Sequence, residues 1–281
     1  MNNIKRMKLY RHPERIYNEI NAAGYKNGAL LKEGDIASFD QYHYLGTDAV
    51  DDAIGCLKID SRSKLIDIGS GLGGPARYLA EKTGCHVTAL ELQPDLHRTA
   101  CSLTERCGLS GSVHHLCGNI LDFPEKGSNF DAVVSWLSFL HIPDRSALLK
   151  KCCKILKPSG KMFIEDFCKR GEFDREETRI LSKDIQCPYL PTAEEYKDQL
   201  IKNSFTEVDL VDKTDCWNNF VRDREEKFIK NRNRYTEIHG IEITEEIEDF
   251  YKKMLQLFNN GNLGGLRIIA MKDQFQSKEG R

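Results

Sequence analysis

The hydrophobic pattern changes period along the chain. Through its middle, short apolar runs alternate with longer stretches in which apolar residues recur every three or four positions. The first pattern fits buried strands and the second amphipathic helices. Their alternation predicts a parallel sheet covered by helices. Strands are expected at residues 64–68, 87–92, 113–117, 130–135, 161–166, 207–211 and 266–271. Helices are expected at 75–82, 94–107, 145–156 and 192–202, with Pro94 suited to a first turn and Thr192 and Glu195 at capping-box spacing. The run Lys157-Pro158-Ser159-Gly160 reads as a helix stop. Two long charged helices are expected around 217–235 and 244–259. Residues 1–55 read as helix and loop, with one helix at 13–22. They are expected to form a lid over a ligand mouth, with 56–281 as the main domain and a helical insertion at about 212–260.

The glycines add chemistry to this pattern. The first strand leads into Leu65-Ile66-Asp67-Ile68-Gly69-Ser70-Gly71-Leu72-Gly73-Gly74. Glycine permits positive φ and close approach of a ligand to the backbone. In open α/β sheets the ligand lies at the carboxyl ends of the strands. The second strand ends at Glu91, where a carboxylate can accept hydrogen bonds from two ribose hydroxyls; Leu92 follows it at the same strand end. Gly69, Gly71 and Gly74 also satisfy G-x-G-x-x-G, which alone would equally suit a nicotinamide dinucleotide. Asp67 favours another ligand. Its carboxylate would repel a pyrophosphate in a low-dielectric cleft, whereas S-adenosylmethionine carries no phosphate and has a cationic sulfonium and ammonium. The cofactor-binding candidates are therefore Asp67, Gly69, Ser70, Gly71, Glu91 and Leu92, joined by Asn119 and Ile120 for an adenine and by Ser135 at the end of the fourth strand.

These motifs resemble those of the class I S-adenosylmethionine-dependent methyltransferases of the small-molecule type. Gly118-Asn119-Ile120 resembles the adenine motif, with Asn119 where Asp is usual. Phe130-Asp131-Ala132-Val133-Val134-Ser135 and Leu156-Lys157-Pro158-Ser159-Gly160 resemble the later motifs. The resemblance covers about residues 59–205 and implies an α/β, Rossmann-like, mostly parallel seven-stranded sheet with an antiparallel last strand. The glycine loop and Ile164-Glu165-Asp166-Phe167-Cys168 most resemble the phosphoethanolamine and glycine/sarcosine N-methyltransferases. Those often read S-x-D followed four residues later by His; here Ser135 and His141 match, but Leu137 stands at the acid. Asp166 is the candidate for a compensating carboxylate.

Methyl transfer needs alignment of a nucleophile more than acid–base help. His141 is the candidate catalytic base, because imidazole titrates near neutrality; a packed residue ahead of the Pro143-Asp144 turn is the competing reading. His43 is the second candidate base, and Tyr42, His43 and Tyr44 are candidate substrate contacts; the aromatic rings there could close over the sulfonium by cation–π attraction, against plain packing. Trp217 is a further candidate in the insertion, against plain helix packing. Two other functions stay open: a nicotinamide-dependent oxidoreductase, which reduced-cofactor titration would reveal, and a non-catalytic scaffold, which would give no methylated product.

Composition removes two classes of partner, while the resemblance implies a small-molecule substrate. The chain has 41 Lys and Arg against 43 Asp and Glu, a net charge of -2, so it carries no nucleic-acid footprint. No apolar stretch approaches the ~20 residues that span a bilayer, and no signal-peptide core follows Met1. A cytoplasmic protein, monomer or homodimer, is expected. Ten cysteines without a C-x-x-C pair predict reduced thiols and no metal site.

Overall fold

A computed structural model describes residues 7–26, 28–126 and 129–273. Three helices, α1 (Arg15–Ala22), α2 (Glu33–Asp40) and α3 (Thr47–Leu57), precede the first strand. Then come β1 (Lys64–Ile68), α4 (Gly74–Thr83), β2 (His86–Glu91), α5 (Pro94–Arg106), β3 (Val113–Cys117), β4 (Phe130–Trp136), α6 (Arg145–Ile155) and β5 (Leu156–Lys169). The chain continues through α7 (Arg175–Arg179), α8 (Ala193–Lys202), β6 (Phe205–Asp212), α9 (Thr214–Lys230), α10 (Arg232–His239), α11 (Ile241–Asn259) and β7 (Leu263–Lys272).

The strands form one sheet in the order β3-β2-β1-β4-β5-β7-β6. β7 is antiparallel to both of its neighbours, and the pairings from β3 through β5 are parallel. This is the expected architecture. Strand parity explains why the central strands are largely apolar. Ile66, Ile68 and Val133 pack on one face with Leu148, Leu149 and Cys152 of α6. Leu65, Val87 and Val134 pack on the other with Ala76 and Leu79 of α4 and Val50 of α3. A sheet covered on both faces needs side chains of low polarity at alternate and intervening positions alike.

Two further clusters roof the carboxyl edge of the sheet. Trp217, Val221 and Phe228 of α9 meet Phe250, Met254 and Phe258 of α11. Ile16, Ile20 and Ile36 of the first helices meet Leu72, Leu96 and Leu103. No helix of the described residues is long and apolar enough to cross a membrane. All ten cysteines are free.

The structure departs from the periodicity in three places. The Lys157-Pro158-Ser159-Gly160 run does not simply follow a helix; β5 absorbs it. The register with β4 shifts between Phe130 and Ala132, and Ser159 takes φ 59°, so the run is a strand irregularity. The two long helices expected near the C-terminal end are three, broken after Lys230 and again at Gly240, whose φ is 85°. α2 and α3 were legible only as part of a helix-and-loop region. By contrast, Thr192 and Glu195 make the expected capping box, at 3.1 and 2.8 Å.

Candidate active site

β1 and β4 are adjacent, while β1 connects outward to β2. The crevice at their carboxyl ends is the point where strand order reverses. A cavity of about 540 Å³ opens there, within the usual range for small-molecule sites.

The glycine loop forms one end of it. Gly69, Gly71 and Gly73 have φ of 76°, 54° and 77°, a region that favours glycine. A Cβ on Gly69 would run into the Ser138 side chain. Four of the loop's N–H groups are already used: Gly69 and Ser70 donate to the Leu90 carbonyl at 2.8 and 3.1 Å, Gly73 to the Ser70 carbonyl, and Gly71 to Glu91. A pyrophosphate cradle needs N–H groups directed at the ligand, and these four are turned into the protein.

Two carboxylates face the same end. Asp67 is 1% exposed, lines the cavity, and its Oδ2 has no hydrogen-bond partner among the described residues. Burial, reinforced by the charge of Glu91, pushes its carboxyl up to about 8. Glu91 accepts from Gly71 N at 2.9 Å and from Gln93 N at 2.8 Å. A carboxylate offers about four acceptor sites, so two remain for hydroxyls. Beyond β3, Asn119 Oδ1 accepts from Leu121 N at 3.1 Å and caps a short 3-10 turn over Ile120–Asp122. Asn119, Ile120 and the 41% exposed Leu92 all line the cavity. A buried carboxylate oxygen without a donor calls for one from a ligand. These residues could hold S-adenosylmethionine: Glu91 the ribose, Asp67 the positive charge, Leu92 and Ile120 the ring.

The other end is aromatic and apolar. Tyr10, Tyr42, His43 and Tyr44 enter from the N-terminal segment; Leu137, Leu140 and His141 follow β4. Tyr10 stacks on Tyr42 with centroids 6.2 Å apart and meets the His141 ring edge-on at 6.0 Å. His141 Nδ1 bonds the Gln186 carbonyl at 3.1 Å. A carbonyl only accepts, so in the neutral ring Nδ1 carries the proton and Nε2 the lone pair. Burial, aided by the Arg145 charge, pushes His141 down to about 4, so the ring is neutral at pH 7. His43 is likewise pushed down to about 4 by burial, with Nε2 on the Gly46 carbonyl at 3.0 Å. Leu137 takes φ 52°, in the left-handed region where a branched apolar residue is uncommon.

Three candidate ligand contacts, among them Trp217 for which packing is the competing reading, lie outside the cavity wall. Ser135 is buried beneath it, its hydroxyl donating to the Ile68 carbonyl at 2.7 Å and lying 2.5 Å from Ser138 Oγ; Ser138 reaches the wall instead. Asp166 is fully buried. It accepts from Arg145 Nη2 and the Tyr196 hydroxyl, each at 3.0 Å, and from Leu140 N at 3.2 Å. Its charge is matched within the protein and does not replace the acid absent at 137. Trp217 is a core residue, packed edge-on to Tyr44 at 5.2 Å and to Phe167 at 6.0 Å. The wall also contains residues that no motif marked: Tyr10, Gln93, Ile185, Arg224, Phe250 and Met254. Tyr10 had only its aromatic character as a signal, and Arg224 sits in a helix whose mixed charges resemble a solvated face.

Known proteins give this geometry its relatives. Residues 66–164 match the model of a methyltransferase domain. The phosphoethanolamine N-methyltransferase of Plasmodium falciparum is 31% identical over 199 residues, covering 66% of this chain and 72% of that one. The glycine/sarcosine/dimethylglycine N-methyltransferase of Actinopolyspora halophila is 37% identical over 112 residues, 40% of this chain and 20% of that one. A Haemonchus contortus phosphoethanolamine N-methyltransferase, solved with phosphomonomethylethanolamine and S-adenosylhomocysteine, superposes with a TM-score of 0.82 at 17% identity. That match covers 97% of this chain and 60% of the nematode protein. The chain thus spans most of one relative and a smaller share of the other two. With its sheet order, its acid-flanked glycine loop and the Plasmodium match in agreement, the chain belongs to the class I S-adenosylmethionine-dependent methyltransferases and is similar to their phosphoethanolamine and glycine/sarcosine N-methyltransferase members.

Proposed function

We propose that this protein transfers a methyl group from S-adenosylmethionine to a nitrogen or oxygen of a small molecule. The observation that carries the reading is one continuous cavity: Asp67 and Glu91 line one end, and a roofed aromatic chamber containing neutral His141 forms the other. When bound, the sulfonium supplies an electrophilic methyl group. The chain supplies alignment and a dry path. Glu91 and Asp67 hold the donor end, and Tyr10, Tyr42 and Tyr44 cover the acceptor end and exclude water. Alignment of this kind is worth about 7–11 kcal/mol in well-oriented systems.

His141 orients the acceptor. A ring held near 4 is a weak base, so its Nε2 lone pair first accepts a hydrogen bond from the nucleophile's O–H or N–H. It takes the proton only as the nucleophile becomes acidic during transfer. Tyr10, edge-on to that ring, closes the chamber. Similarity to the Plasmodium enzyme makes phosphoethanolamine an acceptor to try, but Leu137 supplies no carboxylate for a cationic amine. A neutral nucleophile suits the chamber better.

The test has two stages. Calorimetric titration with S-adenosylhomocysteine should show saturable binding; no heat at millimolar ligand overturns the donor assignment. Incubation of a small-metabolite extract with deuterated donor should then yield a labelled product by mass spectrometry. Binding without any labelled product overturns the catalytic assignment.

A further inference from the structure

Building on that reading, we propose that Arg224 anchors the acceptor, and that the acceptor is an apolar or aromatic molecule bearing a single carboxylate. Arg224 is the sole Arg or Lys among the described residues that line the cavity. It rises from α9 and is half-buried. Nη2 donates to the His43 carbonyl at 3.0 Å. The guanidinium carbon lies 4.5 Å from the centre of the Phe220 ring, 5.7 Å from Tyr44 and 6.0 Å from Tyr251. Its partners among the described residues are thus a carbonyl and three rings, with no carboxylate among them. The rings pack around the guanidinium, which has five N–H donors, and one bond to a carbonyl leaves most of the fork for a ligand.

The distribution of charge along the cavity gives this cation its meaning. Asp67, Glu91 and Asp122 lie at the donor end, and Asp40 is held by Arg77 at 2.6 Å. Asp144 caps α6 through Ala147 N at 2.9 Å. Around the acceptor end, the position where an acid was expected is Leu137, and Asp166 is neutralised by Arg145. The wall therefore carries several carboxylates and one cation, and that cation is set beside the His43 carbonyl, Tyr44 and Phe220. The surrounding wall is apolar: Leu137, Leu140, Phe167, Ile185, Phe250 and Met254. Tyr44 links the two, 5.7 Å from Arg224 and 6.0 Å from Phe167.

In such surroundings a lone cation attracts an anion more strongly than it would in water. One carboxylate matches its charge and its planar fork. A dianionic phosphate would leave net negative charge in an apolar chamber, and an ammonium would meet a like charge. The apolar wall accepts the remainder of the molecule.

The experiment uses the full chain saturated with S-adenosylhomocysteine. Benzoate, 4-hydroxybenzoate, 4-hydroxycinnamate and octanoate are titrated beside their primary amides, and phosphoethanolamine beside both. The expected result is that the acids bind about ten-fold or more tightly than the amides, the scale of one charge-assisted hydrogen bond. In Arg224→Gln that preference should disappear, and in Arg224→Lys it should partly return. Cofactor affinity should be retained in both variants, which verifies that they fold. Acids binding no better than amides, no binding by either set, tighter binding of phosphoethanolamine, or a preference unchanged in Arg224→Gln would each overturn the anchor. If Arg224→Gln fails to fold, the acid-to-amide ratio of the native chain and its change in Arg224→Lys decide. Loss of S-adenosylhomocysteine binding by the native chain is a separate outcome that removes the donor assignment.

Discussion

Asp67 holds a proton that its ordinary acidity would not allow. With burial and Glu91 pushing it up to about 8, the ligand-free protein keeps it mostly neutral at pH 7. A bound cation favours the ionised form. Binding of S-adenosylmethionine at pH 7 should therefore release up to about one proton, and affinity should rise as pH climbs toward 8. The calorimetric enthalpy measured in phosphate and in Tris reads this directly; Asp67→Asn should bind with no proton released, and proton uptake by the native chain would contradict the assignment. The same shift has a cost for the ligand-free fold. Between the ordinary Asp value and about 8 the native state keeps a proton that the unfolded chain has lost, so stability falls as pH rises through that window. His141 is the opposite case. Pushed down to about 4, it stays neutral, so kcat at saturating donor should show no ascending limb near pH 6.5. His141→Gln should lower kcat by about 10²-fold, at the lower end for general-base loss, with S-adenosylhomocysteine affinity unchanged. A limb at the ordinary His value would mean that the ring titrates in the complex.

At the scale of elements, the cover over the cavity is assembled from the two ends of the sequence. Glu19 on α1 accepts from Arg234 at 2.6 Å and from His239 at 2.9 Å, both on α10. Arg11 reaches Glu246 on α11 at 2.9 Å. A buried pair ties α2 to the glycine loop: Arg77 bonds Asp40 at 2.6 Å and the Leu72 carbonyl at 2.7 Å, and both charged side chains are fully buried. Arg77→Met leaves Asp40 buried without its partner and should lower unfolding free energy by about 3–5 kcal/mol, measured by urea denaturation. A loss within experimental error would mean that Asp40 is neutral or solvated. These ties explain what the sequence could and could not disclose. Asp67, the glycines and Glu91 were legible because a strand, a turn and a helix carry their chemistry in contiguous residues. Tyr10 and Arg224 reach the wall through contacts distant in sequence, Tyr10 against His141 and Arg224 on the His43 carbonyl, which leaves no local period or spacing to read. For Asp166 and Trp217 the sequence left ligand contact and packing both open for a related reason: a buried acid and a large ring look the same in sequence whether the partner is a ligand, an arginine or a glycine.

For the whole molecule, donor binding bridges β1, β2 and β3 at once, and the ligand should act as a clamp. At a hundred times its dissociation constant, S-adenosylhomocysteine should add about 2.7 kcal/mol of stability. For a domain of this size that raises Tm by roughly 5–8 °C. Thermal unfolding followed by dye fluorescence would show it, and reduced nicotinamide dinucleotide should give no shift. Donor and acceptor ends rest on different parts of the chain. The parallel strands and their loops hold the first, while α9, α11 and the N-terminal segment wall the second.

Gly265 on β7 gives that division a practical consequence. Its missing side chain leaves a dent that receives the Trp217 ring; its N–H donates to Thr214 Oγ1 at 3.1 Å, and its carbonyl accepts from Lys213 N at 2.8 Å. The first turn of α9 is thereby keyed to the last strand, and Arg224 lies seven residues beyond Trp217, two turns along the same helix. The dent works as a remote tuning screw. A single methyl group added at 265 would tip the helix and re-aim the guanidinium without altering any residue that touches a ligand. Libraries that seek a new acceptor preference should therefore reach past the cavity wall to this strand, where the setting is made.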